Sequence, residues 1–118
     1  SELVTEFATA AKDAQIVISN GGSVETPLTI ELIPLTTMND VTITHVESGY
    51  SMRVADTLLT KPATLIVDTK AGTVRRGTYN AINAFSGQFL TAKPGKNTYL
   101  FNGAAGTVKI RWRNRWLA

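Results

Sequence analysis

The sequence predicts an all-β domain, an antiparallel sandwich of two sheets with about eight strands and one short helical turn. Three observations predict it. Short β-type segments recur from residue 15 onward, turn residues such as glycine, proline and asparagine separate them, and no long segment keeps a helical period. In the last segment Val108, Ile110 and Trp112 alternate with lysine and arginine, so an extended chain places apolar and basic side chains on opposite faces.

The length of 118 residues allows one hydrophobic core and not two. The absence of cysteine excludes disulfides and thiolate chemistry. No apolar run approaches the roughly 20 residues that span a bilayer, and no signal-peptide pattern opens the chain. We therefore expect a single β-sandwich domain at residues 14–118, preceded by an N-terminal arm or linker at 1–13, with no membrane partner.

Residues 1–13 differ from the rest of the chain. Leu3, Phe7 and Ala11 recur at a spacing of four, and neighbouring alanines favour a helix. The pattern predicts a short helix or a loose connecting arm. The alternative is a linker to an upstream domain or a frayed terminus.

The first half of the domain contains four predicted strands, at residues 15–19, 28–33, 41–46 and 50–54. Asn20-Gly21-Gly22 ends the first of them, because these residues tolerate a positive φ. Pro27 and Pro34 bracket the second, which fits because proline cannot donate to a β-ladder.

The second half begins with a predicted tight hairpin, residues 63–69 and 73–76, joined by Lys70-Ala71-Gly72. Tyr79, Ile82 and Phe85 then recur every third residue, which predicts one helical turn within residues 79–88. Pro94-Gly95 is typical of a turn, and the strand after it is apolar on both faces and therefore central in its sheet. The closing strand is predicted over residues 106–117.

Charge is divided unevenly along the chain. The part up to Asp68 carries −6, and the part after it carries +9 with no acidic residue. Such a division is found in proteins that bind nucleic acid or a membrane surface. The interpretation we favour is that the N- and C-terminal strands are neighbours in one sheet and that their outward charges pair across it.

The order of several motifs resembles a known family, the C-terminal domain of distal tail proteins from long-tailed, non-contractile phages. The resemblance covers residues 15–118. The motifs that carry it are an Asn-Gly-Gly loop and Thr-Pro strand at 20–30, a Thr-Ile-Thr strand with a Ser-Gly turn at 42–49, a Leu-Ile-Val-Asp-Thr hairpin at 65–74, Asn-Ala-Ile to Phe-Leu at 80–90, Lys-Pro-Gly-Lys-Asn-Thr at 93–98, and Val-Lys-Ile-Arg-Trp-Arg to Trp-Leu at 108–117.

This resemblance implies a galectin-like or jelly-roll-like sandwich in the virion tail, assembled in the host cytoplasm. Its implied partners are other tail-tip and baseplate proteins and, in some members, host saccharide. The family's N-terminal domain forms a hexameric ring, which this chain lacks. A homo-oligomer would therefore form through that missing domain, and residues 1–13 would be the end of the connection to it.

Enzymatic chemistry finds little support in the sequence, and we expect no catalytic residue, cofactor or metal. The single histidine, His45, shares its parity with Val41 and Ile43, which places it at the rim of the core. The carboxylates are scattered one per strand or turn, so no metal-ligand cluster is apparent.

Binding functions are better supported. Tryptophan and arginine together are typical of interface anchors, so we predict a partner-contact surface at Arg111, Arg113, Arg115 and Trp116, whereas Trp112 belongs to the core. Exposed aromatic rings stack on sugars, and Tyr50 and Tyr79 are the candidate saccharide contacts. Nucleic acid is disfavoured, because the aromatic residues of the last strand lie on the face opposite its arginines.

The leading hypothesis from the sequence is a non-enzymatic structural and docking module of a phage tail tip. The alternative is a carbohydrate-binding module that recognises a cell-surface polysaccharide. An exposed aromatic ring in a concave sheet would favour the alternative, and a flat, charged surface would favour docking.

Overall fold

The computed structural model describes residues 2–9 and 13–117 and confirms the all-β sandwich of two antiparallel sheets. Within these residues, twelve strands and a single 3-10 turn, Ile82–Ala84, are present. The strands are β1 Glu2–Thr9, β2 Ala14–Asn20, β3 Thr26–Pro34, β4 Val41–His45, β5 Ser51–Val54, β6 Leu65–Asp68, β7 Thr73–Arg76, β8 Tyr79–Asn80, β9 Phe85–Gly87, β10 Thr91–Ala92, β11 Gly95–Asn102 and β12 Gly106–Arg113.

The two sheets divide the strands unequally. Six strands of the seven-stranded sheet have the order β1-β12-β3-β6-β7-β8, and the seventh, β10, also pairs with β3. The five-stranded sheet has the order β2-β11-β4-β5-β9. The strand predicted to be central, β11, does lie between β2 and β4. No helix among the described residues is long and apolar enough to cross a membrane.

The core lies between the sheets and is built from alternate residues of each long strand. Along β3 every second residue is buried, and Leu28, Ile30 and Leu32 face the core. Along β12 the same alternation buries Val108, Ile110 and Trp112. The indole of Trp112 is 6% exposed, and its Nε1 donates to Asn114 Oδ1 at 3.2 Å, so the prediction that Trp112 belongs to the core is confirmed.

The prediction of a short helix near the start of the chain is wrong. Glu2–Thr9 form β1, which pairs antiparallel with β12 along its whole length instead of forming a loose arm. Eight residues are too few for a stable isolated helix, and the ladder offered by β12 outweighs the weak helical preference. Whether these residues also link to a further domain stays a prediction, and residues 10–12 lie outside the described residues.

The segment at residues 79–88 contains the predicted helical turn together with two short strands that the sequence did not indicate. β8 pairs β7 in the seven-stranded sheet, and β9 pairs β5 in the five-stranded sheet. The turn therefore lies where the chain crosses from one sheet to the other. The closing strand also ends at Arg113 rather than at Leu117.

The interpretation of the charge division is confirmed for the strands around β12. Lys109 lies in register between Glu6 of β1 and Glu31 of β3. Its Nζ is 3.6 Å from Glu6 Oε2, and Arg111 Nη2 is 3.6 Å from Glu31 Oε1. Acidic residues of the N-terminal part thus lie beside basic residues of the C-terminal part across one sheet, at Glu6, Glu31, Lys109 and Arg111.

Candidate functional site

Residues 114–117, the C-terminal tail, leave the sheet after β12 and lie against the loop between β2 and β3. The carbonyl of Arg115 accepts hydrogen bonds from the N–H groups of Ser23 at 2.8 Å and Val24 at 3.3 Å. The N–H of Leu117 donates to Ser23 Oγ at 3.0 Å, and the N–H of Gly21 donates to the Asn114 side chain at 3.2 Å. Bonds from both backbone and side chains therefore fix the direction of the tail.

Gly22 makes this contact possible. A Cβ on Gly22 would overlap the carbonyl oxygen of Arg115, so only glycine lets the loop approach the tail this closely. The Asn-Gly-Gly motif of the sequence thus does more than end β2. It also forms the surface against which the C-terminal tail packs, which we call the seat of the tail.

We expect Gly22→Ala to displace the tail, because the new methyl group and the Arg115 carbonyl cannot occupy the same space. The stability cost should be about 1–3 kcal/mol. The specific signature is a change in the amide resonances of Ser23 and Leu117 and in Trp116 fluorescence. The control is Gly49→Ala, which introduces strain at φ +76 but meets no atom within 4 Å. A tail signature equal in both variants would contradict the proposed seat.

Beside the tail, an open cleft of about 330 Å³ lies on the outer face of the seven-stranded sheet, where β12, β3 and the β6–β7 turn meet. We call it the basic cleft. It is lined by Thr26, Pro27, Leu28, Thr29, Asp68, Lys70, Arg111, Trp112, Arg113 and Arg115.

The charges of the basic cleft do not balance. Arg111 has a partner in Glu31, and Asp68 Oδ1 accepts hydrogen bonds from the N–H groups of Lys70 and Ala71 in its own turn, each at 3.0 Å. Lys70, Arg113 and Arg115 are exposed and form no ion pair with any side chain that the structure describes. Counting the described side chains, the cleft therefore carries more positive than negative charge, which favours an anion.

The structure brings three of the predicted partner-contact residues, Arg111, Arg113 and Arg115, to this one cleft. Trp116 lies in the tail beside them and is 60% exposed, so it does not continue the buried face of β12. Lys70 and Asp68 also line the cleft but were not predicted from the sequence. Both residues lie far before Arg111 in the chain, and the pairing of β3 with both β6 and β12 brings them together.

The two candidate saccharide contacts belong to different sheets. Tyr50 is 54% exposed and lies in the turn before β5 of the five-stranded sheet, whereas Tyr79 is 59% exposed and lies in β8 of the seven-stranded sheet. Tyr79 borders a second cleft of about 260 Å³, and the Arg76 guanidinium carbon lies 4.7 Å from its ring centroid. Arg76 Nε also donates to Asp56 at 2.7 Å within this cleft.

His45 is buried rather than at the rim of the core, and both of its ring nitrogens are used in hydrogen bonds. Nε2 lies 2.7 Å from Asn97 Oδ1, which can only accept, so Nε2 carries the proton. Nδ1 then accepts from the hydroxyl of Ser48 at 2.7 Å and from its N–H at 3.3 Å. No lone pair of His45 is left for a metal or for proton abstraction.

Glu47, two residues after His45 in sequence, lies beside the same network, with its Oε1 3.7 Å from His45 Nε2. Its carboxylate accepts hydrogen bonds from the N–H and the hydroxyl of Thr98, both at 2.7 Å, and the bond from the N–H is the main cause that lowers the pKa of Glu47. The carboxylate is therefore held ionised to support β11. Among the described residues, no group of three His, Cys, Asp or Glu lies together as a metal site would require.

Comparison with known proteins points to phage tail components. The family model described as siphovirus-type tail component, C-terminal domain, matches residues 21–116. The fold is similar to that of phage SPP1 Dit, a protein described as a paradigm of the hub adsorption apparatus in phages infecting Gram-positive hosts, with a TM-score of 0.73 and 15% identity over 96% of this chain. The chain spans 46% of that protein's length. No curated protein matches.

Proposed function

We propose that this chain, which belongs to the family of siphovirus-type tail component C-terminal domains, is a non-enzymatic structural and docking module of the tail tip. Membership places it in a phage tail, among other tail proteins. The observation that carries the docking role is the C-terminal tail, whose backbone is hydrogen-bonded to the β2–β3 loop and whose exposed Trp116 follows Arg113 and Arg115.

An exposed tryptophan flanked by arginines is typical of the residues that dominate the energy of protein interfaces. Here the backbone around Arg115 is already ordered by the β2–β3 loop. Binding of a partner would therefore cost little further backbone entropy at this surface, which favours affinity. The β-sandwich supports this surface of the C-terminal tail.

The proposal includes no catalysis, and the hydrogen bonds of His45 and Glu47 support that part of it. Both nitrogens of His45 are hydrogen-bonded, and the carboxylate of Glu47 is bonded to Thr98. The basic cleft contains arginine and lysine but no nucleophile paired with a general base.

The test is co-expression of the chain with each of the other tail-tip proteins encoded by the same phage, followed by size-exclusion chromatography and calorimetry. We expect a stable complex with one of them, weakened at least about tenfold by Trp116→Ala, as for an interface anchor. The matched control is Leu58→Ala, since Leu58 is 65% exposed but lies away from the tail, beside Tyr79. If no tail protein binds, the docking role is wrong.

The alternative function, carbohydrate binding, is favoured by the exposed ring of Tyr79 beside the cleft with Asp56, Arg76 and Asn83. An aromatic face next to hydrogen-bonding side chains suits a sugar ring. A glycan array at low and high salt separates recognition from charge attraction, which salt screens. Salt-resistant binding that Tyr79→Ala abolishes would replace docking as the function.

A further inference from the structure

We propose that the basic cleft binds an acidic peptide segment of a partner protein, with the carboxylates of the segment on Lys70, Arg113 and Arg115. This inference rests on the proposed docking function and adds the chemistry of the partner. It starts from the charge imbalance of the cleft, in which those three cations form no ion pair with the described side chains while Arg111 and Asp68 are already engaged.

The backbone that carries each of these three cations is fixed by hydrogen bonds. The carbonyl of Arg113 accepts from Thr26 Oγ1 at 2.8 Å, which fixes the end of β12, and the carbonyl of Arg115 is fixed by the β2–β3 loop. Lys70 lies in a turn ordered by the Asp68 carboxylate. Three different elements thus present their charges toward one space.

The shape of the cleft favours an extended segment over a compact anion. Its volume of about 330 Å³ lies in an open depression that runs across β12 and β3 to the β6–β7 turn. Carboxylates spaced along an extended chain can reach successive cations there, and each guanidinium can bind a carboxylate with two parallel hydrogen bonds. A single phosphate would contact only a part of this surface.

A peptide also fits better than a polyanionic saccharide. The aromatic residue that lines the cleft, Trp112, is only 6% exposed, so the lining itself offers no ring face for a sugar. The exposed apolar side chains beside the cleft are Trp116 and Leu117, at 60% and 79% exposure. Such side chains suit apolar residues that flank the acidic ones in a peptide.

The test uses the whole chain, isotopically labelled for NMR, and three defined probes. They are the capped peptide Glu-Asp-Glu-Leu-Glu-Asp, the same peptide with Gln and Asn in place of the acids, and a sulfated heparin hexasaccharide. We expect the acidic peptide to shift the amide resonances of Lys70, Arg113 and Arg115, to bind less tightly as salt rises, and to bind more tightly than the other two probes.

The matched variants carry equal charge changes at different places. Arg113→Glu with Arg115→Glu should weaken peptide binding at least about tenfold. Lys61→Glu with Lys96→Glu, at exposed lysines outside the cleft, should weaken it less than about threefold through net charge alone. Thermal unfolding of both double variants checks that they remain folded.

Each other outcome has a defined meaning. Equal loss in the two double variants would overturn the proposal in favour of diffuse charge attraction. Tighter binding of the hexasaccharide at the same residues would assign the cleft to a polysaccharide and also overturn it. If no probe binds while the tail-protein complex forms, the cleft inference fails and docking stands. If the peptide binds but no tail protein does, docking fails and the cleft stands.

Discussion

Replacing Asn97 with alanine is expected to lower the free energy of unfolding by about 3 kcal/mol. Asn97 is 0% exposed, and its amide makes four hydrogen bonds. Oδ1 accepts from Lys93 N–H and from His45 Nε2, while Nδ2 donates to the carbonyls of Lys93 and Gly95. The variant leaves the buried His45 Nε2 and the partly buried backbone groups of Lys93 and Gly95 without their bonds. A buried polar group that loses its partner costs more than an average hydrogen bond contributes.

Urea unfolding of the purified chain measures this cost. The matched control is Asn102→Ala at the exposed end of the same strand, which should change stability by less than about 0.5 kcal/mol. A small effect at Asn97 would mean that water or a shifted His45 replaces the lost bonds. In that case the network would not be what holds the β10–β11 turn against β4.

Replacing Gly106 with alanine is expected to cost about 2–3 kcal/mol. Gly106 begins β12 between β1 and β3, and a Cβ there would overlap the Met38 methyl group and the carbonyl oxygen of Ile33. Met38 is itself 0% exposed, so it has no free space to move into. Overpacking of a filled core forces side chains off their rotamers or strands apart.

Thermal and urea unfolding check this result, with Thr107→Ala as the control at the next, outward-facing position. That change removes atoms from the surface and should cost less than about 1 kcal/mol. If Gly106→Ala proved as mild as the control, the start of β12 would have to be free to shift away from Ile33, and the close packing around Met38 would not be a constraint.

Most of the strands could be predicted from the sequence because alternation and turn residues are local signals. β3, β4 and β12 begin or end within a few residues of the predicted bounds, and the central position of β11 follows from its two apolar faces. The strand β1 could not be predicted, since its pairing with β12 joins opposite ends of the chain. The short strands β8 and β9 are also set by their neighbours rather than by their own few residues.

The candidate site was predictable in part. The alternation of β12 separates arginines from the core, which identified Arg111 and Arg113 as surface residues. It did not indicate that Glu31 engages Arg111, or that the strand stops before Arg115 and Trp116. The seat on Gly22 and the contribution of Lys70 depend on long-range pairing, for which neighbouring residues carry no signal.

The pairing of β1 with β12 has a mechanical consequence. Glu2, at the start of β1, lies opposite Arg113, at the end of β12, so both ends meet at the same corner as the basic cleft. A pulling force applied at Glu2 against a partner held at the cleft would open this pair one rung at a time. The hydrogen bonds between β1 and β12 would break one after another rather than bear the load together in shear. The strand β1 would therefore detach before the rest of the sandwich deformed.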